Sequence, residues 1–204
     1  WVNNSGVAGA IDDLTDGKSG GTNFGYSMIL GHETTGTLNN AIMNTSVGID
    51  AMKAITEGDE NTVLGYRALY NNTTGSNNTA LGSHALLTNT TGNNNTAIGY
   101  RTLYYNQSSS YNTAVGHNAL RLAVSGSNTA LGWSAGDVIT TGTYNTIIGH
   151  SADPSSKSST KEIVIGYGTI GKGTNKAVIG SDEVTDVYMA QDMGATVHAD
   201  GVKF

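Results

Sequence analysis

The 204-residue chain draws 94 residues from Gly (28), Thr (27), Asn (21) and Ser (18), while Leu, Ile, Val and Phe together reach only 40, close to the roughly 20% below which a highly charged chain stays disordered. The charge for disorder is missing: 13% charged residues and a formal net charge of −6 suit neither a solvated polyelectrolyte nor a nucleic-acid binder with a basic patch. The lack of cysteine excludes disulfide scaffolds and thiolate metal sites, and no apolar run approaches the roughly 20 residues of a membrane span.

Residues 1–26 read as an N-terminal entry segment. It opens at Trp1 with neither a methionine nor a charged-then-apolar leader, as expected of a fragment or processed product. DGKSGG at Asp16–Gly21 contains Gly-Lys-Ser, but Asp12 stands where a phosphate loop needs its first glycine. The acidic group Asp12, Asp13 and Asp16 has Leu14 where a calcium loop needs an oxygen ligand, so it reads as solvated surface. His32, in HETTG, lacks the second histidine of a zinc helix. No metal and no cofactor is expected.

From residue 27 to 181 the chain repeats. The unit Asn-Thr-x-(Leu/Ile/Val)-Gly starts at Asn44, Asn61, Asn78, Asn95, Asn112, Asn128 and Asn145, in steps of 17 with a single 16. Degenerate copies end at Gly31, Gly166 and Gly180, which makes ten rungs. β-branched residues, Asn and Gly recur too densely for a helical stripe, and each rung has the period-2 pattern of a short strand. The fold class predicted is all-β: a parallel β-solenoid of about ten 17-residue coils.

Replacement of the threonine by Met28, Ile163 and Ala177 in the outer copies predicts that the Thr and Leu/Ile/Val columns point inward, with the threonines forming a buried hydroxyl ladder. A second short element follows each Gly (YRAL at Tyr66–Leu69, SHAL at Ser83–Leu86), and then a polar stretch reaches Gly58, Gly75, Gly92, Gly126 or Gly142, where positive φ is expected to turn the chain. GYGTIG at Gly166–Gly171 has dinucleotide-loop letters but leads into another strand rather than a helix, so its glycines belong to the repeat.

The residue after each repeat Gly is often a ring: Tyr66, Tyr100, His117, Trp133, His150 and Tyr167. Such a column fits either a seam between subunits or stacking on sugar faces. With the looser group of tyrosines around it, the candidate receptor or glycan contacts are Tyr100, Tyr104, Tyr105, Tyr111, Trp133 and Tyr144. Residues 182–204 read as an exit segment, whose Asp182, Glu183 and Asp186 face solvent rather than pair as acid and base.

A 17-residue coil offers only about three or four inward apolar groups, so a second surface is expected to complete the core, most simply in a trimer. The tandem NTALG and NTAIG units joined by GYRALYNNTTGSNN resemble the repeats of bacteriophage tail fibres and are similar to the head repeats of trimeric autotransporter adhesins. Residues 11–41 resemble the entry into such an array and residues 185–204 its exit. The resemblance implies a homotrimeric left-handed parallel β-roll, serving as shaft or receptor-binding part of a tail fibre that mediates host attachment from the virion tail outside the cell. Its partners would be its own copies, other tail proteins and a host cell-surface glycan of neutral or mildly charged type, with no nucleic acid and no membrane insertion. The alternatives are a bacterial trimeric surface adhesin head, an ice-binding β-solenoid, which the inward threonines disfavour, and a polysaccharide-cleaving spike. No catalytic constellation is visible, and an enzyme is not expected.

Overall fold

A computed structural model of the chain describes residues 17–19, 28–30, 41–181 and 183–184. Most of the entry and exit segments, with Asp12, Asp13, Asp16, His32, Asp182 and Asp186, lie outside the described residues. The fold is all-β, and no helix occurs among the described residues. Among the described residues, eleven three-residue strands stack in chain order: β1 (Gly17–Ser19), β2 (Met28–Leu30), β3 (Thr45–Val47), β4 (Thr62–Leu64), β5 (Thr79–Leu81), β6 (Thr96–Ile98), β7 (Thr113–Val115), β8 (Thr129–Leu131), β9 (Thr146–Ile148), β10 (Ile163–Ile165) and β11 (Ala177–Ile179). Lys18, part of the Gly-Lys-Ser run, thus sits in a strand, antiparallel to β2. From β2 to β11 every neighbouring pair is parallel and in register, Thr on Thr and Leu on Leu, as in Thr79↔Thr96 and Leu81↔Ile98. The repeat spacing therefore translates directly into a solenoid of ten rungs.

The inward face is not the one the repeat suggests. Strand burial alternates with the middle residue inside: Ala80, Ala97, Ala114, Ala130, Ile147 and Val164 are fully buried, whereas Leu64 is 54% exposed and Ile163 42%. The Thr and Leu/Ile/Val columns point outward, and the buried threonine ladder does not form. Met28 and Ile163 replace threonine on an outward apolar face, so their hydrophobicity does not mark the interior. The same finding removes the ground on which an ice-binding face is disfavoured.

The buried polar ladder is asparagine. Asn44, Asn61, Asn78, Asn95, Asn112, Asn128 and Asn145 are all buried. Each Oδ1 accepts the backbone N–H of the equivalent residue one coil on at 2.9–3.1 Å, the last from Glu162. Each Nδ2 donates to a turn carbonyl of its own coil, for example Asn78 to Gly92 and Asn128 to Gly142, both at 2.8 Å. A second ladder, Asn72, Asn89 and Asn106, donates to the turn carbonyls of Gly75, Gly92 and Ser109 from the opposite side. An amide supplies both acceptor and donors at one position, and that is what a buried tight turn needs. The coil is therefore narrow: small Ala on the strand wall faces Leu69, Leu86, Leu103 and Leu120, all fully buried.

Two backbone features hold the coil at this width. The turn glycines Gly58, Gly75, Gly92, Gly126 and Gly142 do not adopt positive φ. They are glycine because a Cβ at Gly75 would lie 2.5 Å from the Gly92 carbonyl oxygen, and one at Gly92 would lie 2.4 Å from that of Ser109. The left-handed turns fall instead on non-glycine columns such as Arg67, His84 and Arg101, and Leu69, Leu86, Leu103 and Leu120. Those residues still bond between coils, as in His84 N–H to Tyr66 O at 2.9 Å and Leu69 N–H to Ala85 O at 2.9 Å.

Candidate functional site

The rings do form a line. Tyr66 meets His84 edge-on at 5.2 Å between centroids, and His84 leads to Tyr100 at 6.2 Å. Beyond it the stack is face to face: Tyr100–His117 at 5.1 Å, His117–Trp133 at 5.8 Å, Trp133–His150 at 4.7 Å and His150–Tyr167 at 5.2 Å. In the coil where Ser83 occupies the ring position, the neighbouring His84 fills the gap, a substitution the column position alone did not signal. His84 is held below the ordinary histidine range by burial, then by the Arg101 and Arg67 charges, so it serves the ladder as a neutral ring. Tyr100 and Trp133 of the candidate contacts lie in this ladder, beside the outward Leu/Ile/Val column.

The remaining candidates separate into two groups. Tyr111 and Tyr144 occupy the corner just before a strand, both with left-handed backbone (φ 65° and 60°) and both well exposed. They stand two coils apart, roughly 10 Å along the axis, on a different edge from the ladder. Tyr104 and Tyr105 touch edge-on at 4.7 Å. Arg101 joins this pair to the ladder, with its Cζ 5.1 Å from the Tyr100 centroid and 5.6 Å from that of Tyr104, a cation over ring faces. Arg67 repeats the arrangement over Tyr66 and Tyr70, but its Nε also lies 3.4 Å from Asp50 Oδ2.

Arg101, Tyr104, Tyr105 and Arg121 line a hollow of about 80 Å³. Neither arginine stands out in the sequence. Arg121 occupies the column of Tyr70, Leu87 and Tyr104, and stacking alone brings it beneath Tyr104. One further side chain is perturbed: Asp153 stands in the column of Leu120 and Gly136, where Asp153 N–H continues the inter-coil bonds. Burial, then Asp137, push its carboxyl up to about 7 against a hydrogen bond from the Val138 backbone, and its Oδ1 is buried without a partner. Among the described residues no three His, Asp or Glu side chains gather as metal ligands. Comparison with protein families, curated proteins and solved structures finds no match to the chain.

Proposed function

We propose that the chain is a rod-like segment of a homotrimeric fibre, structural and adhesive in role, of the kind found in bacteriophage tails. The observation that carries this reading is the outward strand wall. Val47, Leu64, Ile98, Leu131 and Ile179 are each more than a third exposed in one column, flanked by threonines on one side and rings on the other. At about 4.8 Å per rung the ten strands extend this wall over roughly 43 Å. Monomeric proteins seldom leave so long an apolar strip to water, and interfaces commonly cover such strips. The wall repeats in register, so identical copies present matching columns, and three copies bring three walls together around one axis. The resemblance of the NTALG repeat to tail fibres, and next to bacterial trimeric adhesin heads, supplies the biological setting: host attachment from the virion tail.

Sedimentation equilibrium is expected to give a mass near three times 21.0 kDa, and Leu131→Glu, which places a charge in the wall, is expected to abolish that species. A folded monomer at micromolar concentration would overturn the trimer. Imaging of particles bearing the full-length protein separates the two settings, because a bacterial surface location favours the adhesin.

The outward threonines favour a second reading. Thr45, Thr62, Thr79, Thr96, Thr113, Thr129 and Thr146 form a hydroxyl-bearing column on a regular wall, as an ice-binding face would. Thermal hysteresis by the isolated chain would establish it; its absence together with a trimer leaves the fibre.

A further inference from the structure

The structure assigns the hollow between Arg101 and Arg121 as a binding site for the carboxylate of an acidic glycan, an assignment that rests on the reading of the rod as an adhesive segment. The chain carries only 10 Lys and Arg, and an overall sparsity of charge argues against ionic partners, yet two guanidiniums meet here in adjacent coils. Among the described residues the ion pairs are Lys53–Asp50 and Arg67–Asp50. Arg101 and Arg121 make neither. Asp137, one coil beyond Arg121 in the same column, forms no ion pair with it. The equivalent arginine two coils back, Arg67, does have its carboxylate partner, so the ring stacking of Arg101 does not by itself account for an unpaired charge.

The dimensions select the ligand chemistry. About 80 Å³ holds a carboxylate-sized group and not a whole sugar ring. Two guanidinium forks suit a planar carboxylate, which each can engage through paired N–H donors. The sugar bearing it would then lie on the rim, where the ring of Tyr105 is 45% exposed and offers a face to the apolar side of a pyranose. Tyr105 occupies a column held elsewhere by Ala54, Asn71 and Thr88, so this rim belongs to one coil only.

The test measures binding of oligogalacturonate and of a sialylated oligosaccharide to the intact chain by calorimetry, beside the methyl ester of the first. At least one acid is expected to bind, more weakly as salt rises, and the ester at least tenfold more weakly. Arg101→Gln and Arg121→Gln are each expected to lower the affinity at least tenfold with unchanged thermal melting, and Arg67→Gln to leave it unaltered. Arg121→Lys, which keeps the charge and loses the fork, is expected to fall between. Failure of both acids to bind, equal binding of the ester, or retained affinity in the glutamine variants would overturn the site. Dextran sulfate binding as tightly as the acids, and lost in the same variants, would also overturn it by showing an unselective polyanion patch. Because trimer mass is measured separately, loss of the site with the trimer intact leaves the fibre standing.

Discussion

Asn95→Ala tests the interior directly. The Asn95 Oδ1 accepts the Asn112 N–H at 3.0 Å, and its Nδ2 donates to the Ser109 carbonyl at 2.9 Å and to Asn78 Oδ1 at 3.1 Å. Truncation does not strand every partner. Ser109 O still accepts from Asn106, and Asn78 Oδ1 still accepts the Asn95 N–H. The Asn112 N–H, however, is left buried with nothing to bond. An orphaned buried donor costs about 1–3 kcal/mol and each of the two other lost bonds about 1 kcal/mol, for a total of about 3–5 kcal/mol. At roughly 2–4 °C per kcal/mol for a chain of this size, Tm should fall by about 10 °C. Circular dichroism melts at one fixed protein concentration, so that any contribution of assembly to Tm is the same for variant and parent, supply the measurement. Thr91→Ala, an exposed change in the turn just before Asn95, is the control and should stay within about 0.5 kcal/mol of the parent. If Asn95→Ala were as harmless as the control, the asparagines would face solvent and the register of every strand would be wrong by one residue.

Gly82→Ala should prevent native folding, because φ is 133° and the added Cβ would sit 2.5 Å from the Gly99 carbonyl oxygen. Gly168→Ala, with φ 59° and open space around it, should cost only about 1–2 kcal/mol; similar solubility and melting of the two variants would refute the steric account. Asp153, whose folded pKa of about 7 lies above the ordinary aspartate value of 3.8, holds its proton more tightly in the folded chain, so its effect is to lower stability progressively as pH rises from about 4 to about 7. Asp153→Asn should flatten that part of the pH profile and raise stability at pH 8 by on the order of 1 kcal/mol, allowing for screening of a partly exposed carboxylate; parallel profiles for variant and parent would show that the buried charge is relieved in some other way. Tyr111→Ala should weaken host-cell attachment of a fibre carrying this segment about tenfold, about 1.4 kcal/mol, without loss of trimer; wild-type attachment would remove the Tyr111 and Tyr144 edge from the receptor surface.

The ladder of rungs was legible because its cause is local and repeated. A Gly with φ between 133° and 143° follows every strand from β3 to β10, and the spacing between such glycines is the coil length. Which face lies inside was not legible, since two usual guides pointed the wrong way. Asn counts as a surface residue, whereas Ile163 and Leu64 count as core. A narrow coil lined by buried asparagine amides reverses that order, and a wall that other copies would cover carries the large aliphatic residues outside. The left-handed columns were missed for another reason: Leu at φ near 50° is unfavourable in isolation. Alignment of the repeats does carry a trace of them, because among the described residues none of the 21 non-glycine positions with positive φ is Val, Ile or Thr, in a chain with 27 threonines. The cluster of Arg101 and Arg121 left no trace of that kind, being made by stacking two positions that differ in column as well as coil.

A periodic rod has a difficulty that a globular protein lacks. Any surface that repeats every coil offers a ligand as many equivalent positions as there are rungs, which suits side-by-side assembly and gives no single address for a receptor. Uniqueness has to come from residues that break the period. Along the strand wall there are few such breaks, and its Thr and Leu columns continue in register from β3 to β9. On the opposite wall they are more frequent: Gly136 and Asp153 interrupt the leucine column, and several others gather within two coils. Thr102 replaces the alanine found at Ala68, Ala85, Ala119 and Ala135 and donates its hydroxyl to the Gly116 carbonyl at 2.6 Å. Tyr105 and Arg121 depart from their own columns within the same two coils, and the single 16-residue step, from Asn112 to Asn128, follows at once. The regular wall is therefore the surface suited to identical copies. The irregular patch around Tyr105 is the one a distinct partner could recognise at a single position along the rod.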